Sequence, residues 1–397
     1  MKTRNRSLRD RCCLLFICPL LLLTGPLSVV HSQSFNQNQV LEKAGDNATQ
    51  IRKALQLVPD KQREGMEFLL YHMPEHDLQS LSSDYLLENV EYSYKAWETS
   101  LWKDQISKDL FLNNILPYAS INERRDPWRK SFYKKLKPLI QGIDSPGLAA
   151  ATLNQKIFPL FNVKYSTKRK KADQSPFESM ESGLASCTGL SILLIDACRA
   201  VGIPARFVGT PLWSDRSGNH SWVEVYDQGW HFTGAAEPAG NALDQAWFIG
   251  RAAKAQRDSQ RHAIYAVSFK QTPQPFPMVW KRGADYVHAV NVTDRYTKLG
   301  ASLPPGYVNL MFRILDGASG DRCSAPLTLK QPDGEVIFEG KSKDERFDAN
   351  DHLTVAVPEG KTFELSIPSK TGESITKTIK AESDGQLVEL KLPTDKP

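Results

Sequence analysis

Cysteine is scarce in this chain, with six among 397 residues, too few for a disulfide-stapled scaffold, which packs them densely into a short sequence. No paired Cys-x-x-Cys spacing of a zinc site occurs, and no glycine-rich loop that would cradle a phosphate. Beyond Val30 no apolar run reaches the roughly 18 residues of a membrane-spanning helix. Internal repeats and low-complexity tracts are missing, and charge of one sign is not in large excess, since 50 Lys+Arg face 45 Asp+Glu. Together these absences argue against a disordered polymer, a collagen-like fibre and a multi-span membrane protein. What is present, 41% hydrophobic and 24% charged residues, is ordinary for globular proteins. The length suits roughly two to three domains, each able to bury its own core.

The N-terminus departs from this average. Lys2, Arg4, Arg6, Arg9 and Arg11 precede an apolar run from Cys12 to Val30, interrupted by Gly25 and Pro26. A basic head, an apolar centre and a cleavable end read as a secretory signal peptide over residues 1–32, with an uncleaved anchor as the alternative. Its five basic residues and single acid, Asp10, account for most of the net charge of +5; removing them leaves 45 basic against 44 acidic residues. The basic pI belongs to the export address, and the case for a nucleic-acid partner goes with it. The expectation is a secreted or periplasmic protein with no stable membrane insertion after cleavage. The leader also removes Cys12, Cys13 and Cys18. Cys187, Cys198 and Cys323 remain, an odd number that favours at least one free thiol.

The rest of the chain divides into three regions. In 33–145, Met66, Leu69 and Leu70, then Leu86, Leu87, Val90, Tyr94 and Trp97, then Trp102, Ile106, Leu110 and Phe111 recur at spacings of three and four, predicting a helical domain that serves as a packing scaffold. Residues 146–300 alternate helical and strand-like segments. The basic cluster Lys164, Lys168, Arg169, Lys170 and Lys171 lacks interleaved stacking aromatics and reads as a solvated loop. After the turn-rich stretch to Pro305, residues 306–397 alternate apolar and polar positions, as in Val308, Leu310 and Phe312. Asp333-Gly334 and Glu359-Gly360 read as hairpin turns, predicting a small β-sandwich, immunoglobulin-like in size.

The chemistry concentrates after Ser186. Leu190, Leu193, Leu194, Ala197 and Val201 predict a helix with one apolar face, with Ser186 as N-cap, Gly202 as a left-handed C-terminal residue and Pro204 as the stop. Cys187 then sits in the first turn, where backbone N–H groups and the helix dipole favour the thiolate. Cys198, deeper along the same helix, reads as a core residue. In Asn219–Asp227, period-two alternation puts His220, Trp222, Glu224 and Tyr226 on one face. A two-residue Gln228-Gly229 turn would pair Asp227 with Trp230 and, continued, His220 with Glu237. A carboxylate opposite an imidazole can fix its tautomer and stabilise the imidazolium. A one-residue slip would move the side chain to the other face.

A cysteine opening a helix that ends in Gly202-Ile203-Pro204-Ala205-Arg206, followed by Asn219-His220-Ser221-Trp222-Val223-Glu224-Val225-Tyr226, resembles the transglutaminase-like superfamily. That superfamily has a papain-like thiol fold and includes transglutaminases, bacterial cysteine peptidases and peptide N-glycanases. The resemblance covers about residues 150–250, and Tyr286–Ala289 to Asp294–Tyr296 continue it. It implies an α+β papain-like core, Cys187 as nucleophile and His220 as base. At the third position the sequence departs from the family. The usual Asp, four residues after the strand Trp, is here Gly234, while Glu237-Pro238 resembles the usual Asp-Pro displaced by three. Glu237 is the expected acid, with Asp244 second; the departure also leaves open a degenerate, non-catalytic domain.

The implied activity is attack on a peptide or related amide through an acyl-enzyme, hydrolysis being favoured over transfer because nothing marks a site for a second amine. Protein cross-linking is the near alternative, and a catalytically dead binding module at the cell surface the distant one. No cofactor and no metal is expected. Expected partners are protein, peptide or glycopeptide substrates. His231, His262 and His288 read as structural or exposed. Asn47, Asn219 and Asn291 lie in glycosylation sequons.

Overall fold

The computed structural model describes residues 35–300, 303–368 and 374–394; the expected signal peptide lies outside them. From Asn36 onward the chain forms one contact unit. It mixes helix and sheet, and among the described residues no helix is long and apolar enough to cross a membrane.

The first part is helical, as its periodicity requires. Asp60–His72 and Ser83–Glu98 turn Met66, Leu69, Leu70, Leu86 and Val90 inward until each is at most 1% exposed. Polar ties join the stretch after them, from Trp102 to Ala119, to the central helix and the strand after it. The buried Arg199 guanidinium donates to the carbonyls of Asn114, Pro117, Ala119 and Ala205, and the Trp102 indole donates to Gly202 O at 2.7 Å. Gly202 itself has φ +87°, and a Cβ there would stand 2.5 Å from Ala96 O. Only glycine fits that close approach.

Cys187–Ala200 is the central helix, and every residue from Thr188 to Ala200 is buried. The sequence predicted one apolar face. The helix is covered all round instead, by the sheet on one side and by Arg129–Leu136 and Pro146–Phe161 on others, as its almost continuous apolar composition allows. The sheet runs in the order Trp230–Thr233, His220–Tyr226, Ala205–Thr210, Tyr265–Ser268, His288–Asn291, Gln274–Pro275, with each neighbouring pair antiparallel.

The register at the sheet edge differs by one from the expected pairing. Tyr226, not Asp227, pairs with Trp230, and the ladder closes at Val223 opposite Thr233. The cause lies in a neighbouring helix. Asp227 leaves the ladder to accept hydrogen bonds from Ser145 Oγ (2.6 Å) and Gly147 N (3.1 Å) at the start of Pro146–Phe161, a position where a carboxylate satisfies free N–H groups. The turn therefore has three residues, with Gln228 left-handed at φ +56°. Past Thr233, Asn154 captures the chain, donating to Gly234 O and accepting from Ala236 N. The strand ends there.

The C-terminal residues form two sheets. In one, Tyr307–Leu315 pairs antiparallel with Leu353–Pro358 and parallel with Gln386–Lys391. The other runs in the order Val336–Lys341, Pro326–Lys330, Thr362–Pro368, Ser374–Lys380. Leu310, Phe312 and Ile314 from the first join Leu329, Leu365 and Ile367 from the second in one hydrophobic cluster. Asp333-Gly334 turns between adjacent strands of one sheet, with Gly334 at φ +92°. Glu359-Gly360 is not a hairpin: it carries the chain from the first sheet to the second. Between Lys341 and Leu353 a polar loop leaves the two-sheet unit and reaches the central helix.

Candidate active site

Ser186 opens the central helix from an extended conformation (φ −84°, ψ 175°), its Oγ accepting from Gly189 N at 3.2 Å. Cys187 is thus the first helical residue, and its backbone N–H, in the first turn, has no acceptor within the helix. The His220 strand docks directly on this end. Thr188 Oγ1 and Ser221 Oγ share a hydrogen bond of 3.1 Å. Cys187 is half-buried. Burial pushes its thiol well above the usual range, Asp348 adds to that, and the Ser221 N–H opposes. Burial thus works against the pull of the helix terminus toward thiolate.

His220 is 2% exposed and enclosed by aromatic rings, with centroids at 4.9 Å (Trp247), 5.0 Å (Phe248), 5.9 Å (Trp222) and 6.0 Å (Trp213). Desolvation in this apolar box lowers its pKa, against the opposing pull of Asp348. Neither ring nitrogen has a hydrogen-bond partner.

The carboxylate nearest the imidazole comes from the loop of the two-sheet unit. Asp348 Oδ2 stands 3.6 Å from His220 Nδ1, and both side chains are 2% exposed. Asp348 Oδ1 accepts from Asn350 N (2.9 Å) and Asn350 Nδ2 (3.2 Å). Arg322 fixes the loop from behind, donating to the carbonyls of Asp344, Phe347, Asp348 and Asp351. Three contacts seat it on the core. Ala349 N donates to Tyr165 Oη at 2.8 Å, Asn350 Nδ2 to Asn219 O at 3.0 Å, and Arg251 to Asn350 O at 2.6 Å. One donor atom from each of Cys187, His220 and Asp348 lies within 4.8 Å of the other two.

Both acids expected from the sequence are engaged elsewhere. Glu237 does not stand across from His220, because the ladder ends before it; Trp247 Nε1 donates to its carboxyl at 2.9 Å, and burial, reinforced by Asp348 and Asp351, raises its pKa well above the carboxylate range. Shifted in that direction, Glu237 balances an imidazolium less well than an ionised carboxylate would. It remains at the site through Trp247, which packs on His220. Asp244 pairs with a different histidine, His231 Nδ1, at 2.6 Å, and accepts from Phe232 N. Glu224 shares the His220 face but is consumed by Arg206 and Arg295. Cys187, Cys198 and Cys323 are all unpaired, with Cys198 in the core. Asp348 was not expected from the sequence because it lies in another region; the one local signal was the polar run Asp348-Ala349-Asn350-Asp351-His352, which breaks the strand alternation around it.

Beside the site a cavity of about 660 Å³ is walled by Phe158, Tyr165, Leu190, Glu237 and Trp247 from the core and by Phe347 from the same loop.

A cysteine opening a buried helix, with a strand histidine against it and an antiparallel sheet behind, is the arrangement of a papain-like thiol fold. Residues 134–234 match the family model described as "Transglutaminase-like superfamily". The chain therefore carries a transglutaminase-like core, and Cys187 lies within the matched residues together with His220. No curated protein matches the sequence. Among solved structures, a Cytophaga hutchinsonii chain described as "a Putative Cysteine Protease" is 19% identical over 41% of this chain and 58% of that one, with a TM-score of 0.25. The Bacillus anthracis TIE protein is 14% identical over 48% and 30%, with a TM-score of 0.18. Red sea bream transglutaminase is 8% identical over 75% and 59%, with a TM-score of 0.21. This chain spans less than two thirds of each.

Proposed function

We propose that the protein is an exported thiol amidohydrolase acting on peptides or related amides, with Cys187 as nucleophile and His220 as base. The observation that carries this reading is the apposition of the helix-initial thiol and the unpartnered imidazole within a transglutaminase-like core. His220 takes the Cys187 proton as the sulfur attacks the amide carbonyl carbon. The oxyanion that develops meets the Cys187 backbone N–H. The C–N bond then breaks, the amine leaves with the proton from His220, and a thioester remains. Water, deprotonated by His220, attacks the thioester and releases a carboxylic acid with the thiol restored.

In this scheme Asp348, rather than Glu237, stabilises the imidazolium, since it is the carboxylate whose charge favours protonated His220. The C-terminal two-sheet unit, which we read as the expected β-sandwich, would then take part in the chemistry through its loop. Hydrolysis is favoured over transfer because nothing in the sequence marks a site for a second amine. Export follows from the expected signal peptide.

The test is alkylation and turnover. Iodoacetamide should label Cys187 faster in the wild type than in His220→Ala, and an amide peptide library should yield carboxylic-acid products absent with Cys187→Ala. If a primary amine added at millimolar concentration appears in most products, cross-linking replaces hydrolysis. If Cys187 reacts no faster with His220 present than without it, the enzyme reading fails.

A further inference from the structure

We infer that Cys187, His220 and Asp348 form a binding site for a soft divalent cation, Zn2+ or a chemical equivalent, whose occupancy closes the thiol to substrate. The inference deepens the function proposed above and rests on it only for the effect on turnover; the site itself stands on geometry.

The arrangement of the three groups is the first argument. In a proton relay the thiol and the carboxylate work at opposite nitrogens of the imidazole, so that one holds the ring while the other exchanges the proton. Here sulfur, ring nitrogen and carboxylate oxygen lie within 4.8 Å of one another, so sulfur and oxygen converge on one region. The Nδ1–Oδ2 distance of 3.6 Å is too long for a hydrogen bond. It is close to the ~3.4 Å that separates two ligand atoms placed tetrahedrally at about 2 Å from zinc.

The donor set is the second. Thiolate sulfur, imidazole nitrogen and carboxylate oxygen are the protein ligands zinc accepts, and three of them leave one position for water. His220 has no hydrogen-bond partner at either nitrogen although it is 2% exposed, and buried polar groups are ordinarily paired.

The surroundings are the third. Ligating side chains are aimed by hydrogen bonds from behind, and that support is present. Asn350 holds Asp348 Oδ1 with two hydrogen bonds, leaving Oδ2 toward the cluster. Arg322 immobilises the loop through four carbonyls, and the aromatic box fixes the imidazole. The nearby cations are already engaged, Arg251 with Asp215 and Lys343 with Asp351.

Binding balances simply. The Cys187 thiol loses its proton to solvent and forms a sulfur–metal bond, since a bound cation reverses the local preference for the neutral thiol. The sulfur lone pair and the base are then both occupied.

The experiment uses the purified full chain after chelator treatment. Titration with Cd2+ should produce a sulfur-to-metal charge-transfer band saturating at one ion per chain, and Zn2+ should displace it. Zn2+ should also protect Cys187 of the wild-type protein from iodoacetamide, a readout that needs no variant to fold. Cys187→Ser should abolish the band; His220→Ala and Asp348→Asn should each weaken binding by about tenfold or more, while Cys323→Ser leaves it unchanged. No band, no protection, or wild-type affinity in Asp348→Asn overturns the inference. Amide turnover without metal binding overturns it alone, and metal binding without amide turnover overturns only the functional reading.

Discussion

His220 and Glu224 stand on the same face of one strand, four residues apart, and both are buried, yet their surroundings are opposite. Glu224 is saturated: one carboxylate oxygen accepts from Arg206 at 2.7 Å, the other from Arg295 at 2.6 Å and Tyr296 Oη at 2.7 Å. Tyr296 in turn accepts from Trp222 Nε1 at 2.7 Å. His220 has rings on its faces and no partner at either nitrogen. Buried polar groups are ordinarily paired, because an orphan costs about 1–3 kcal/mol. Under the proposed function, His220 is left unpaired for the thiol and the substrate.

The sharpest way to break this comparison is to remove each residue. His220→Ala should lower kcat by about 100- to 10,000-fold, the usual worth of a positioned acid–base group, and its urea midpoint should fall only by the ring packing it removes, since no hydrogen bond is lost. Glu224→Ala should do the reverse. It leaves two arginines without their buried partner and should cost about 3–5 kcal/mol of unfolding free energy by denaturant titration, with kcat changed only as far as the protein unfolds. Should the two variants behave alike, the division between a structural and a functional end of the strand collapses. Tyr296→Phe sharpens the point at smaller scale, since losing the hydroxyl that links Trp222 to Glu224 should cost about 1–2 kcal/mol and leave kcat intact.

The smallest effect concerns Glu237 and separates it from Asp348. Burial raises its pKa in the folded protein above the unfolded value, so the fold favours the protonated form. Its contribution to stability is full below the ordinary carboxylate pKa and is lost as pH rises through the folded value. Thermal melting of the wild type should therefore decline across that window more steeply than that of Glu237→Gln, whose amide cannot ionise. Equal slopes would mean that Glu237 is ionised in the fold and belongs with Asp348 as an acid.

How much of this was legible from sequence depends on the range of the interaction. Ser186, Cys187 and Gly202 could be placed because caps, first turns and left-handed stops are written in neighbouring residues. His220, Trp222 and Glu224 could be put on one face because alternation is local. The pairing of His220 with Glu237 failed for a reason no local rule carries: Asp227 left the strand to cap a helix that begins at Pro146, which shortened the ladder and moved its register by one. Glu359-Gly360 failed similarly, since a turn signal says where the chain bends and not which sheet it enters.

The sequence by itself determined which residues could do thiol chemistry and the helix and strand that present them, because propensity, capping and period act over a few residues. Only the tertiary structure decided what those residues face. The loop that brings Asp348 to His220 is held there by contacts such as Asn350 to Asn219, 131 positions apart. Burial, which opposes the pull of the helix on the Cys187 thiol, exists only once all the elements have packed.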